Sequence, residues 1–124
     1  MKIGFLGTGH ITSSVIQGIF KSNLRINKIY VSPRNKSISK KLSKKFKKVS
    51  IAKNNQELIN LTNWVFLAVT PKVAHKILKT LVFKKNQKII SFISTINIEK
   101  LKKYTRAKKV TRVIPLPFVG IKKG

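Results

Sequence analysis

Short β-branched and aromatic runs alternate along this chain with segments of helical period, and that alternation leaves few folds open. Lys2-Ile3-Gly4-Phe5-Leu6 has the make-up of a buried strand, after which Ile11, Val15 and Ile19, with Ile16 and Phe20 beside them, recur at helical spacing. Lys28-Ile29-Tyr30-Val31 reads as a second strand ended by Ser32-Pro33, and Ile38, Leu42 and Phe46 mark a second helix. Val49-Ser50-Ile51 is a brief third strand, and Asn54 with Glu57 forms a capping-box-like start to a helix through Leu58, Ile59 and Leu61. Trp64 to Val69 is a continuous apolar run, as a central parallel strand requires. Pro71 suits the first turn of a following helix with a core face of Val73, Ile77, Leu78 and Leu81. Ile89 to Ile93, a short helix around Ile98 and Leu101, and Val110 to Ile114 complete the series, stopped by Pro115 and Pro117. Repeated βα units with short connections imply an α/β, doubly wound, mainly parallel sheet of about six strands, in one domain over residues 1–124.

The first strand-to-helix turn, Gly7-Thr8-Gly9-His10-Ile11-Thr12, carries the chemistry. A dinucleotide pyrophosphate needs a tight turn and a backbone it can approach at a helix N-terminus, and two glycines at this spacing supply both. The place of the turn, directly after an N-terminal strand, makes the motif informative and points to a Rossmann-type domain. Thr12 stands where a third small residue is usual, which predicts a helix displaced slightly from the sheet. The end of the second strand then decides between cofactors. A domain for NAD places an acid there for the ribose 2′-hydroxyl, but the first acid in this chain is Glu57. Ser32-Pro33-Arg34-Asn35 instead offers a hydroxyl, a guanidinium and an amide, a set suited to the 2′-phosphate of NADP. The same residues also suit a plain turn leading into the second helix.

Composition excludes several classes. With no cysteine there is no disulfide, zinc–cysteine site or thiol nucleophile, and no residue cluster suggests a metal site. No apolar run reaches the roughly 18–20 residues of a membrane span, and the start is too short for a secretory signal, so a cytoplasmic protein is expected. The 28 Lys and Arg face two acids, Glu57 and Glu99, for a formal charge of +26. Such a surface attracts nucleic acid and other polyanions nonspecifically. The charge is spread, densest over residues 40–48, 100–109 and 122–123, and it is mostly lysine, which favours a solvated surface over base recognition.

These motifs together resemble pyrroline-5-carboxylate reductase. The resemblance rests on Ile3-Gly4-Phe5-Leu6-Gly7-Thr8-Gly9, Val31-Ser32-Pro33-Arg34-Asn35, Asn54-Asn55-Gln56-Glu57, Val65-Phe66-Leu67-Ala68-Val69-Thr70-Pro71 and Gln87-Lys88-Ile89-Ile90-Ser91, in that order over nearly the whole chain. It implies a pyrophosphate site at Gly7, Thr8, Gly9, His10 and Ile11 and a 2′-phosphate site at Ser32, Arg34 and Asn35. It also implies an adenosine contact at Asn55, a cleft wall at Ala68, Val69, Thr70 and Pro71, and the nicotinamide near Phe92, Ile93 and Ser94. The implied activity is hydride transfer from NADPH to the carbon–nitrogen double bond of an imino acid, the last step of proline synthesis.

Two departures touch the substrate end: Ile93-Ser94-Thr95 is bulkier than the family's small-residue run, and Leu116 follows Pro115 where an Asn is usual. The family's helical C-terminal domain, which makes the dimer and most of the imino-acid pocket, has no counterpart in the sequence, so activity of the chain alone and dimerisation stay open. No general base is evident. His10 reads as a turn residue, His75 as exposed on the fourth helix, Glu57 as a cap and Trp64 as core at a strand edge. Three readings follow: the cofactor domain of a pyrroline-5-carboxylate reductase-like protein, complete or truncated; the same domain of another NADP-linked reductase; and a nonenzymatic basic module holding nucleic acid or acidic partners.

Overall fold

A computed structural model describes residues 1–113. Its elements are β1 (Lys2–Leu6), α1 (His10–Lys21), β2 (Lys28–Val31), α2 (Lys36–Lys45), β3 (Val49–Ile51), α3 (Asn55–Leu61), β4 (Trp64–Leu67), α4 (Pro71–Ile77), β5 (Lys88–Ser91), α5 (Ile98–Thr105) and β6 (Lys109–Arg112), with a 3-10 turn at Leu78–Thr80 extending α4. The strands form one sheet in the order β3-β2-β1-β4-β5-β6. Every neighbouring pair is parallel. This is the expected doubly wound Rossmann-type arrangement, with the strand order reversing between β1 and β4. Ile114, the last residue expected of the sixth strand, and Pro115, Leu116 and Pro117 lie outside the described residues.

Alternation along each strand divides the core in two. Ile3, Phe5, Ile29 and Val31 face Ile16 of α1 and Leu42 of α2. Leu6, Val65, Leu67 and Ile89 face Leu58 and Ile59 of α3, Ala74 of α4 and Leu101 of α5. Gly4 sits where α3 crosses β1, and a Cβ there would stand 2.4 Å from Leu58 Cδ2 and 3.0 Å from Thr62 Cγ2. The missing side chain lets α3 settle directly on the central strand.

Local chemistry sets the helix starts. Asn54 Oδ1 accepts from the Glu57 amide at 2.8 Å, and Glu57 Oε1 reaches back to the Lys53 amide at 3.3 Å, so the cap operates with Asn in place of Ser. Thr70 caps α4 ahead of Pro71, and Asn97 caps α5.

Four details differ from the expectation. In α1 the buried line runs through Thr12 and Ile16, while Ile11 is 47% exposed. Thr12 can turn inward because its hydroxyl donates to the Gly7 carbonyl at 2.8 Å, which removes the cost of burying it. In α4, Ala74 and Leu78 carry the core contact, and Val73 stays at the margin. His75 is half-buried, with Nδ1 2.7 Å from Tyr104 Oη on α5. Finally, β4 stops at Leu67 and β5 at Ser91, each two residues before its apolar run ends. Ala68 and Phe92 keep a single backbone bond to the neighbouring strand as the chain turns away. Among the described residues no helix is long and apolar enough to cross a membrane.

Gly4→Ala is expected to force Leu58 aside and lower the free energy of unfolding by about 1–3 kcal/mol, read from the urea midpoint.

Candidate functional site: the glycine turn at the sheet's switch point

The turn after β1 lies between the ends of β2 and β4, where the strand order reverses and open α/β sheets leave a crevice. Gly7 has φ +100, and a Cβ there would meet the Ala68 carbonyl oxygen at 2.4 Å, so both conformation and space demand glycine. On its other side the Gly7 amide donates to Ser32 Oγ at 3.0 Å. Thr8 Oγ1 donates to the Ser32 carbonyl at 2.9 Å and lies 3.0 Å from Ser32 Oγ. Since the single Thr8 proton goes to the carbonyl, Ser32 Oγ is the donor in that pair. The two hydroxyls thus form a closed, buried ring of hydrogen bonds between the glycine turn and β2.

Gly9 is different. It is the N-cap of α1, carries an ordinary extended backbone, and a Cβ there would meet nothing within 4 Å. No atom of the described residues requires this glycine, and the space before it is open among them. No side chain caps α1, and its first turn has no acid. Among the described residues the amides of His10, Ile11 and Thr12 therefore have no partner and face the opening with the positive end of the helix dipole behind them. A phosphate group fits such a cradle.

The other expected site residues distribute around this opening. Arg34 and Asn35 are exposed at the start of α2, with Asn35 in the left-handed region at φ 56. Asn55 is half-buried in the first turn of α3. Ala68 and Val69 line the side of the turn opposite Ser32, where Val69 Cγ1 also approaches Gly7. Thr70 and Pro71 stand exposed at the start of α4. Beyond β5, Phe92 is half-buried and tilts against Phe66 at 5.5 Å between ring centres, and Ser94 is exposed. Ile93 turns into the core on the α3–α5 side, away from the opening, with its amide held by Ser91 Oγ at 3.0 Å. His10 is exposed at the first position of α1. Glu57 caps α3 and Glu99 lies in the first turn of α5, so no carboxylate faces Arg34.

Sequence reasoning missed the side-chain role of Thr8 and the structural use of Ser32. The available signal was two hydroxyl residues just past the ends of adjacent parallel strands. Thr12, read as a departure, closes the turn through its own hydroxyl, which accounts for its burial.

A family model described as "NADP oxidoreductase coenzyme F420-dependent" matches residues 2–98. The chain belongs to this family. Pyrroline-5-carboxylate reductase 2 of Bacillus subtilis is 29% identical over 126 residues, covering 99% of this chain and 45% of that protein. The crystal structure of the reductase of the same name from Streptococcus pyogenes superposes with a TM-score of 0.77 at 28% identity, covering 94% of this chain and 43% of that one. The Plasmodium falciparum pyrroline carboxylate reductase, solved with NADP bound, has a TM-score of 0.79 at 22% identity and covers 98% of this chain and 44% of that one. The resemblance seen in the motifs thus holds along the chain, which spans less than half the length of the curated relatives it matches.

Ser32→Ala leaves the Gly7 amide buried without its acceptor, so unfolding free energy is expected to fall by about 1–3 kcal/mol. Unchanged stability in equilibrium denaturation would show that the hydroxyl ring does not hold the turn.

Proposed function

We propose that this chain binds NADP(H) at the glycine turn and serves as the cofactor domain of a pyrroline-5-carboxylate reductase-like oxidoreductase. The observation that carries the reading is the pair of unlike glycines. Gly7 is filled in by the fold, whereas Gly9 guards open space in front of unpartnered helix amides. The Plasmodium falciparum structure with NADP bound supports the choice of ligand.

In this reading the amides of Gly9, His10 and Ile11 hold the pyrophosphate, with Thr8 shaping the turn through its bond to β2. Arg34 and Asn35 take the 2′-phosphate. Ser32 contributes chiefly by fixing the turn, because its proton is already given to Thr8. Asn55 flanks the adenosine side, and Ala68, Val69, Thr70 and Pro71 form the wall opposite β2. Phe92 and Ser94 lie toward the nicotinamide end, where Ile93 contributes backbone only. When bound, the dihydronicotinamide supplies the hydride that reduces a carbon–nitrogen double bond. A protonated imine is already electrophilic, so the protein's task is placement and exclusion of water rather than acid–base chemistry. The substrate of this reading is a cyclic imino acid, the pathway proline synthesis and the compartment the cytoplasm.

Two substitutions test the assignment by cofactor titration. Arg34→Ala is expected to weaken NADPH by about 1–3 kcal/mol while leaving NADH nearly unchanged; equal losses would remove Arg34 from the 2′-phosphate site. Gly9→Val is expected to stay folded, losing about 1 kcal/mol through its poorer N-cap while its side chain enters empty space, yet to abolish binding of both cofactors. A Gly9→Val protein that still binds either cofactor at wild-type strength contradicts the placement of the pyrophosphate.

A further inference from the structure

The ring of hydroxyls between the glycine turn and β2 ties together the two ends of the proposed cofactor site. Ser32 is held at each of its polar atoms. Its amide donates to the Phe5 carbonyl at 3.2 Å, its carbonyl accepts from Thr8 Oγ1 at 2.9 Å, and its Oγ accepts from the Gly7 amide at 3.0 Å. The proton of Ser32 Oγ goes to Thr8 Oγ1 at 3.0 Å. Ser32 is 1% exposed and Thr8 5%, so both hydroxyls are engaged inside the protein, out of reach of a ligand. Thr8 thus joins the turn to Ser32 as donor and acceptor at once.

On one side of this ring Thr8 is flanked by Gly7 and Gly9, whose backbone shapes the pyrophosphate cradle. On the other side Arg34 follows Ser32 after a single residue, Pro33, whose ring holds φ at about −65°. Few free torsions separate the ring from the Arg34 Cα, so the exposed guanidinium swings from an anchored base. The ring therefore sets the spacing between two anion sites, the amides at the start of α1 and the guanidinium at the start of α2. NADPH has to meet both sites at once, whereas NADH meets only the first.

We infer that Thr8 is a positioning residue for cofactor selectivity, its buried hydroxyl holding the Arg34 segment at the spacing that a 2′-phosphorylated dinucleotide requires. This rests on the reading that the glycine turn binds NADP(H), and it gives a residue that never touches the ligand a part in choosing it. A charge fixed in place before binding does not have to be ordered by the ligand. Without the ring NADPH has to order Arg34 itself and binds more weakly, while NADH makes no use of Arg34. Valine has the shape of threonine but neither donates nor accepts, whereas serine does both.

The test is titration of NADPH and NADH into the full chain and its variants, read as the ratio of the two dissociation constants so that any loss common to both cofactors cancels. Thr8→Val is expected to lower the preference for NADPH about two- to tenfold, and Thr8→Ser to keep it. In the Arg34→Ala background Thr8→Val should leave the ratio where Arg34→Ala alone puts it, because the hydroxyl acts through Arg34. Circular dichroism checks each fold. Should Thr8→Val fail to fold, Thr8→Cys, with a weak donor and acceptor in the same place, carries the test with a smaller shift in the same direction.

Equal losses for the two cofactors in Thr8→Val would make the hydroxyl purely structural and overturn the inference while leaving the NADP(H) site in place. A ratio that moves further in the Arg34→Ala background would overturn it as well. So would a preference for NADPH that rises in Thr8→Val, since Ser32, released from Thr8, would then be donating to the phosphate itself. Failure of the unaltered chain to bind either cofactor removes the NADP(H) reading, and the role of Thr8 with it.

Discussion

The packing of Gly7 between the ends of β2 and β4 is the constraint on which the rest of the site depends. A parallel doubly wound sheet must reverse its strand order somewhere, and here the reversal falls beside β1. The chain leaving β1 has to turn within a residue or two while the ends of two strands crowd it. A backbone at φ +100 resting on the Ala68 carbonyl accomplishes this, and only glycine accepts both conditions. Hydroxyls finish the structure: Ser32 and Thr8 tie the turn to β2, and Thr12 ties it to the helix that follows. What emerges is a rigid mount that aims the start of α1 into the crevice.

This mount separates two properties that a glycine motif usually blends. Gly7 is required by the protein's own atoms, and Gly9 by no contact among the described residues. An empty approach to unpartnered amides in a basic, carboxylate-free setting is what an anionic ligand needs. The large positive charge of the chain is consistent with such a ligand but does not specify it, because lysines are spread over every surface. Selectivity in the proposed site rests instead on the few groups that converge there, chiefly Arg34 beside the exposed N-terminus of α2.

Much of this was legible from residues alone. Short β-branched runs between helical stripes specify a parallel sheet, since a short helical crossover returns each strand in the same direction, and all six strands lie where the runs occur. Legibility failed where polarity was resolved by tertiary partners. Thr12 looked too large and too polar for a helix–sheet contact until the Gly7 carbonyl supplied its acceptor. His75 looked solvent-facing because its partner, Tyr104, is on another helix. Strand ends were overextended at Ala68-Val69 and Phe92-Ile93, because apolar residues continue past the last ladder bond to line the crevice or re-enter the core. Ile93 shows the limit of carrying roles by motif, since its side chain leaves the opening that its backbone borders.

The most direct test is a paired titration of the full chain with NADPH and NADH, followed by nicotinamide fluorescence at moderate and high salt. The account predicts saturable binding that favours NADPH and persists when salt is raised, because backbone amides in a fixed cradle are screened less than dispersed surface lysines. Absence of saturable binding, or binding that disappears with salt as a nonspecific polyanion contact would, contradicts it.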